Sequence, residues 1–420
     1  MQEKTSKTGV ALQIIYLSVR ILFDLIRTLL TRGEPGQEGH AGQNRDESGI
    51  EVIVISQVPW DYLWQRNHHT MALISRQARV LYCCPIPTVT AAKEGKSYSS
   101  LAPRRYNDDL MYFRPLVLWG DSRIPLVRVL NRMIISNSIS RYAALNGMGG
   151  KRRVLWFYYP TFGSVAGHLD EDLVMYDIQD EYSAFSWFPP DTPQRERDLI
   201  DRCDLVFTGT LQLWKKKNKY NPNMYFIQCG VESEHFSGAL NDDTLIPEDV
   251  AHLKDPVFGY FGLLDTRVDM EMLEAVASQR PEWTFVLIGP CHVEKRSPNI
   301  LLIGRREYDE LPAYLKAFDI CLIPFVMNDN TKNLNPTKLL EYFASGKPVI
   351  SAPIPDVVDL YPDLVEIAAT PDEFILAAER LLSENGGRRS AEMKREAAEN
   401  SWDGMVNKML SHIERTFKER

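Results

Sequence analysis

Nearly continuous apolar runs recur along this chain, and the stretches between many of them carry apolar side chains at helical spacing. Runs of this kind lack the in–out alternation of a half-exposed strand. They are what strands look like when helices cover both faces of a sheet. A first series lies at 51–56, 80–84, 154–158, 173–177, 205–208 and 224–227, with a helical pattern over 126–145. A second lies at 257–261, 283–288, 300–303, 320–323 and 349–350, with helices expected over 270–279 and 310–318. Strands alternating with helices predict parallel sheets. The expected fold is therefore α/β, with two doubly wound, Rossmann-like domains facing a cleft, over residues 50–240 and 241–385. Residues 233–256 are polar and read as the link between them, while 386–420 predicts amphipathic helices broken near Ser401-Trp402-Asp403 that cross back to the first domain. Ligands of such folds bind beyond the carboxyl ends of the strands, so the cleft is the default site.

The first 49 residues stand apart. Residues 10–31 are rich in Leu, Ile and Val, yet Gln13, Arg20, Asp24, Arg27 and Thr31 recur at helical spacing and form one narrow polar line. Each charge at mid-span would cost about 2.5–3.5 kcal/mol in a bilayer centre, which argues against a spanning helix. The small-residue cleavage site of a secretory signal is also missing. Two readings fit: an amphipathic helix lying in the plane of a membrane, and a helix packed on the protein or on another subunit. Residues 33–49, rich in Gly, Glu and Gln, read as a flexible tether. The expected location is cytoplasmic, and the first of these readings would add peripheral contact through residues 10–31 on the inner face of the plasma membrane.

Composition narrows the function classes. A chain of 420 residues suits two cores rather than one. Its 44% hydrophobic and 25% charged residues are those of a globular protein. The formal charge of −8 argues against nucleic acid as a partner, which would call for a basic stripe. Cys83, Cys84, Cys203, Cys229, Cys291 and Cys321 include no Cys-x-x-Cys pair and no zinc-like spacing, so reduced, mostly buried thiols are expected.

The stretch with the clearest chemistry is Asn335-Pro336-Thr337-Lys338-Leu339-Leu340-Glu341-Tyr342-Phe343-Ala344-Ser345-Gly346. Pro336 suits a first helical position and Gly346 a left-handed helix stop. The helix start offers free N–H groups to an anion. Lys338 and Glu341, one turn apart, can hold a phosphate and a sugar hydroxyl. The simpler alternative is an ion pair on a solvated helix face. In the first series, Asp61 follows Pro59 in the loop leaving the first strand; it fits either an acceptor contact at the cleft edge or a helix N-cap. Asp180 follows a strand end and fits either the cleft or a cap before Tyr182.

Four patches in this order resemble retaining glycosyltransferases of the GT-B fold, in the group 1 branch that includes teichuronic-acid biosynthesis glycosyltransferases. They are Val58-Pro59-Trp60-Asp61-Tyr62-Leu63-Trp64-Gln65-Arg66, then Gly230-Val231-Glu232 with His235-Phe236, then Gly262-Leu263-Leu264-Asp265-Thr266-Arg267-Val268-Asp269, and the 335–346 stretch. The resemblance implies transfer of a sugar from a nucleoside diphosphate to a glycan or lipid-linked acceptor in cell-envelope or exopolysaccharide synthesis. It implies no metal and no cofactor beyond the donor. Arg267 and Lys338 would face the diphosphate, Glu341 the ribose, and Gly262, Asp265, Asn333, Asn335 and Thr337 would complete the donor site. Asp61 and Asp180 are the candidate catalytic carboxylates. The family's first motif acid falls on Asn333, eight residues before Glu341. Asn can hydrogen-bond a hydroxyl but cannot act as a carboxylate. Two further classes stay open: a non-catalytic nucleotide-sugar-binding scaffold, which Asn333 favours, and a nucleotide-sugar epimerase.

Overall fold

The computed structural model describes residues 7–30, 49–96, 101–150, 152–185, 188–329, 331–384 and 387–420. The tether expected at 33–49 lies almost wholly outside them. The chain divides into two units. The first comprises residues 1–208, 217–225 and 409–420, and the second 209–216 and 226–408. The passage from one to the other at residue 226 falls upstream of the boundary expected at 240.

The sheet of the first unit runs in the spatial order Met224–Phe226, Leu205–Thr208, Leu173–Ile178, Arg153–Phe157, Glu51–Ile55, Arg79–Cys83, Leu110–Phe113 and Arg104–Arg105. Glu51–Ile55 pairs in parallel with both neighbours, Glu51 standing opposite Arg79 and Arg153. All five of its residues are buried, as a run without alternation requires. The edge strand Arg104–Arg105 pairs antiparallel with Leu110–Phe113. It was not legible in the sequence, because two exposed arginines carry no strand signal.

In the second unit the order is Ile300–Gly304, Thr284–Ile288, Val257–Phe261, Ile320–Ile323, Val349–Ser351 and Glu366–Ile367, parallel at every pairing. The chain starts in mid-sheet, builds outward to one edge, then returns to build the other side. Val257–Phe261 and Ile320–Ile323 therefore flank a topological switch point, where such sheets bind ligands.

Residues 233–256 are not a plain link. They form the helices Ser233–Ser237 and Glu248–Ala251, and Phe236, Ala239 and Val250 sit in the core of the second unit. The polar surface of the segment hides three well-spaced apolar anchors. The C-terminal region forms the helices Gly387–Glu399 and Trp402–Lys418, with the break where the sequence places it.

In the first unit, Arg66 Nε and Nη2 donate to the Asp177 carboxylate at 2.9 and 3.1 Å, and both residues are buried. Asp177 is thus committed to holding the helix Arg66–Ile74 against the sheet rather than lining a cleft. That helix is capped at Gln65, whose N–H donates to His68 Nδ1 at 3.0 Å, so Asp61 is not its N-cap. Burial lowers the His68 imidazole and pushes His69 down to about 4. Lys217, at the end of the helix Leu211–Lys217, is buried against Glu196 at 2.6 Å and Glu181 at 3.5 Å.

Candidate functional site

Strand Val257–Phe261 ends at the switch point and leads directly into Gly262. Gly262 has φ 150°, and a Cβ there would overlap Lys338 Cε and press on Tyr260 Oη. Only glycine leaves this slot open for the lysine. Gly289, which the sequence reading did not single out, faces it from the neighbouring strand end. With φ 145°, it lets the Gly262 carbonyl lie where a side chain would stand. The Gly262 N–H donates to Ile288 O at 2.8 Å and fixes the loop.

Lys338 projects from the first turn of the helix Thr337–Ser345. The N-cap is Pro336, one residue earlier than first position, and it supplies no side-chain cap. The Leu339 N–H donates to Pro336 O at 3.0 Å, while the N–H groups of Thr337 and Lys338 keep their capacity for an external acceptor. The helix stops at Gly346 in the left-handed conformation, as its sequence predicts. Tyr342, on the same helix, reaches back to the strand and accepts from the Phe261 N–H at 3.4 Å.

Glu341 lies one turn beyond Lys338, and both are half-buried. Neither side chain makes a hydrogen bond or ion pair with another described residue. The ion pair that was the simpler alternative has thus not formed, and each keeps its polar end available. Burial raises the Glu341 carboxyl to about 6; Lys338 opposes this and Glu232 adds to it. Burial likewise lowers the Lys338 ammonium, with Glu341 opposing and Arg267 adding. These two charges cost free energy to keep apart from solvent, and they would be relieved by a ligand bearing a polyanion and hydroxyls.

Arg267 stands close by. Its Nε donates to both oxygens of Asp265 at 2.9 and 3.1 Å, and its N–H donates to Oδ1 at 3.0 Å. Burial works to raise the Asp265 carboxyl, but the hydrogen bonds and charge of Arg267 hold it below its ordinary value. Asp265 therefore orients the guanidinium. Tyr260, its hydroxyl pushed up by burial, feels the charges of Arg267, Asp265 and Glu341 together. Gly262, Asp265, Arg267, Lys338 and Glu341 thus form one cluster.

The remaining expected residues divide. Thr337 begins the helix beside Lys338. Asn335 donates to Gln228 Oε1 at 3.4 Å, which also accepts from Tyr361 Oη at 2.9 Å. Asn333 sits on the turn Thr331–Asn333 and donates to the Asp329 carbonyl at 3.1 Å. Nothing in its contacts joins it to the cluster. Tyr308 and Glu232, not assigned to the site from sequence, come near Glu341. Tyr308 stacks on His235 with centroids 4.5 Å apart and planes 7° from parallel. Burial raises its hydroxyl, and Glu341 and its hydrogen-bonded partner Glu232 raise it further. These contacts link segments far apart in the chain, so no local pattern announces them.

The first unit holds its own cavity of about 1390 Å³, and none of that cluster lines it. Asp61 and Tyr62 border it, together with Trp119, Phe162, Arg114 and Lys93. Asp180 is not among its lining residues.

Residues 255–384 match the family described as Glycosyl transferases group 1. The chain is 24% identical, over 87% of its own length and 98% of the relative's, to TuaH of Bacillus subtilis (strain 168), named as a teichuronic acid biosynthesis glycosyltransferase. Among solved structures it is similar to sucrose-phosphate synthase from Thermosynechococcus elongatus, with TM-score 0.63 and 14% identity over 88% of this chain and 100% of that one. It is also similar to Anabaena HepE in complex with UDP, with TM-score 0.59 and 12% identity over 87% and 100% of the two chains. The protein therefore has the GT-B fold, and its residues 255–384 are a group 1 glycosyltransferase domain.

Proposed function

We propose that this group 1 glycosyltransferase moves a sugar, with retention, from a nucleoside diphosphate sugar to a glycan or lipid-linked acceptor in cell-envelope or exopolysaccharide synthesis. One observation carries the donor assignment. Lys338 and Glu341 stand one turn apart at the switch point with no ion pair, and the lysine is threaded past a glycine that could be nothing larger. The names of relatives add support: HepE is in complex with UDP, and TuaH is named for teichuronic acid synthesis.

In this reading Lys338, Arg267 and the first-turn N–H groups meet the diphosphate and stabilise the charge that grows as it leaves. Asp265 keeps Arg267 aimed. Glu341 accepts hydrogen bonds from the ribose hydroxyls. Asn335 and Thr337 complete the donor contacts. The acceptor belongs to the first unit, where Asp61 borders the cavity. A donor phosphate oxygen takes the acceptor proton, so no separate base is demanded of Asp180. Because these cations do the work of neutralisation, turnover is expected to be unchanged by EDTA; loss of turnover on chelation and recovery with a divalent cation would show the assignment of Lys338 and Arg267 to be incomplete.

The test is a calorimetric panel of UDP-, GDP- and dTDP-sugars, followed by transfer to a lipid-linked acceptor. A protein that neither binds nor hydrolyses any of them would exclude the proposal. Asn333 motivates a second reading, a nucleotide-sugar-binding scaffold. Tight donor binding without transfer to the native acceptor would favour it.

A further inference from the structure

The helix Lys7–Leu30 buries Leu17 and Ile21 against Ile86, Ala91, Leu116 and Ile134. On the same side Gln13 Nε2 donates to the Lys96 carbonyl at 3.3 Å. The polar line predicted for this helix is thus partly spent on the protein. The opposite side carries Leu12, Ile15, Tyr16, Val19, Phe23 and Ile26, each more than half exposed. Their spacing places them on one face. Next to the helix, the segment around the buried Leu116 and the partly buried Leu118 and Leu130 exposes Trp119, Ile124, Leu126 and Val129 as well. An apolar surface of this size on a globular protein marks an interaction site.

The chemistry around it selects the occupant. Arg20, on the polar line beside the apolar face, is exposed and donates to Tyr16 Oη at 2.7 Å. Arg123 and Lys93 are exposed on the adjoining segments. Of the nearby acids, Glu94 pairs with Arg114 at 3.8 Å, Asp121 with Arg195, and Asp191 with Arg195 and Arg128 at 2.8 and 3.1 Å, while Asp24 on the helix itself is half-buried and has a contact of its own. A broad aliphatic stripe, aromatic rings with polar tips and net positive groups at the margin fit the boundary between lipid headgroups and acyl chains. Among the described residues no helix is long and apolar enough to cross a membrane. We infer that this face docks flat on an anionic lipid surface, held by the helix stripe with Trp119, Ile124, Leu126 and Val129.

The full chain tests this by flotation with vesicles of phosphatidylcholine alone and of phosphatidylcholine with phosphatidylglycerol. It should float with the anionic vesicles at least about tenfold better, and salt should weaken the binding. Ile15→Asp with Phe23→Asp should abolish flotation while leaving nucleotide binding by the second unit and the melting temperature unchanged. Arg20→Glu with Arg123→Glu should remove the preference for anionic lipid. Failure of the full chain to float with either vesicle overturns the inference. So does a dimer in solution that the aspartate pair dissociates, which would give this face to a second copy. Flotation needs no turnover, so the result stands apart from the glycosyltransferase proposal.

Discussion

Replacing Lys338 by alanine is expected to lower kcat by about 10²–10³-fold, the usual consequence of removing one preorganised charge partner from a developing anion. The reason is geometric. The ammonium sits against Gly262, on the first turn of a helix with no side-chain cap, so it and the helix N–H groups address the same volume. Charge accumulates on the diphosphate mainly in the transition state, so kcat and kcat/KM should fall together. Lys338→Arg should rescue poorly. The slot that admits a lysine stem only because residue 262 has no Cβ is too narrow for a planar guanidinium. Steady-state kinetics with saturating donor reads this directly. A Lys338→Ala variant within threefold of the parent would remove the lysine from the leaving-group role.

The second large effect belongs to Glu341 and has two opposite signs. Its carboxyl is raised from 4.5 to about 6 by burial. The folded protein therefore binds this proton more tightly than the unfolded chain does. Stability falls as pH rises from about 4.5 to 6, and the full cost persists above that, at most about 2 kcal/mol. Glu341→Gln should consequently raise the melting temperature at pH 8 and leave it nearly unchanged at pH 4. Donor binding should move the other way. Ribose hydroxyls donate to the ionised carboxylate, so the parent's donor affinity should weaken about tenfold per pH unit below 6. The glutamine variant should bind roughly 10- to 100-fold more weakly at pH 7, with a flat profile. Calorimetry across pH measures both. Equal slopes in the two proteins would assign the ribose contact elsewhere.

Much of the architecture could be read from the chain because buried parallel strands are written as uninterrupted apolar runs. Val257–Phe261 and Ile320–Ile323 are found at the residues the pattern marks. The helix of the donor cluster was legible for another reason: its start and stop are chemical signals, and Gly346 adopts the left-handed turn its position demands. Reading failed where elements are too short or too polar to carry a period. Glu366–Ile367 completes the second sheet with two residues, and Phe236 anchors a segment that otherwise looks like solvent-facing linker. The site was legible only along the chain. Lys338 and Glu341 belong to one helix, whereas Gly289, Glu232 and Tyr308 approach through the fold, and no spacing rule connects residues so distant. Asn333 shows the converse limit. A residue placed by motif position alone is turned toward Asp329 in the structure.

The last twelve residues of the chain belong to the first unit, not to the second that precedes them. Met409 and Ile413 are wholly buried there, His412 packs on Tyr225 and Phe207, and Arg152 pairs with Glu414 at 2.6 Å. During synthesis the second unit has its whole sequence available before the first does. The usual order, in which the N-terminal domain matures first on the ribosome, is closed to this protein. Its first unit must wait with part of its sheet uncovered until residues 409–420 emerge, so the nascent chain stays exposed to aggregation and chaperone capture until after the second unit's sequence has been made. Truncation before Met409 would leave that unit unfinished.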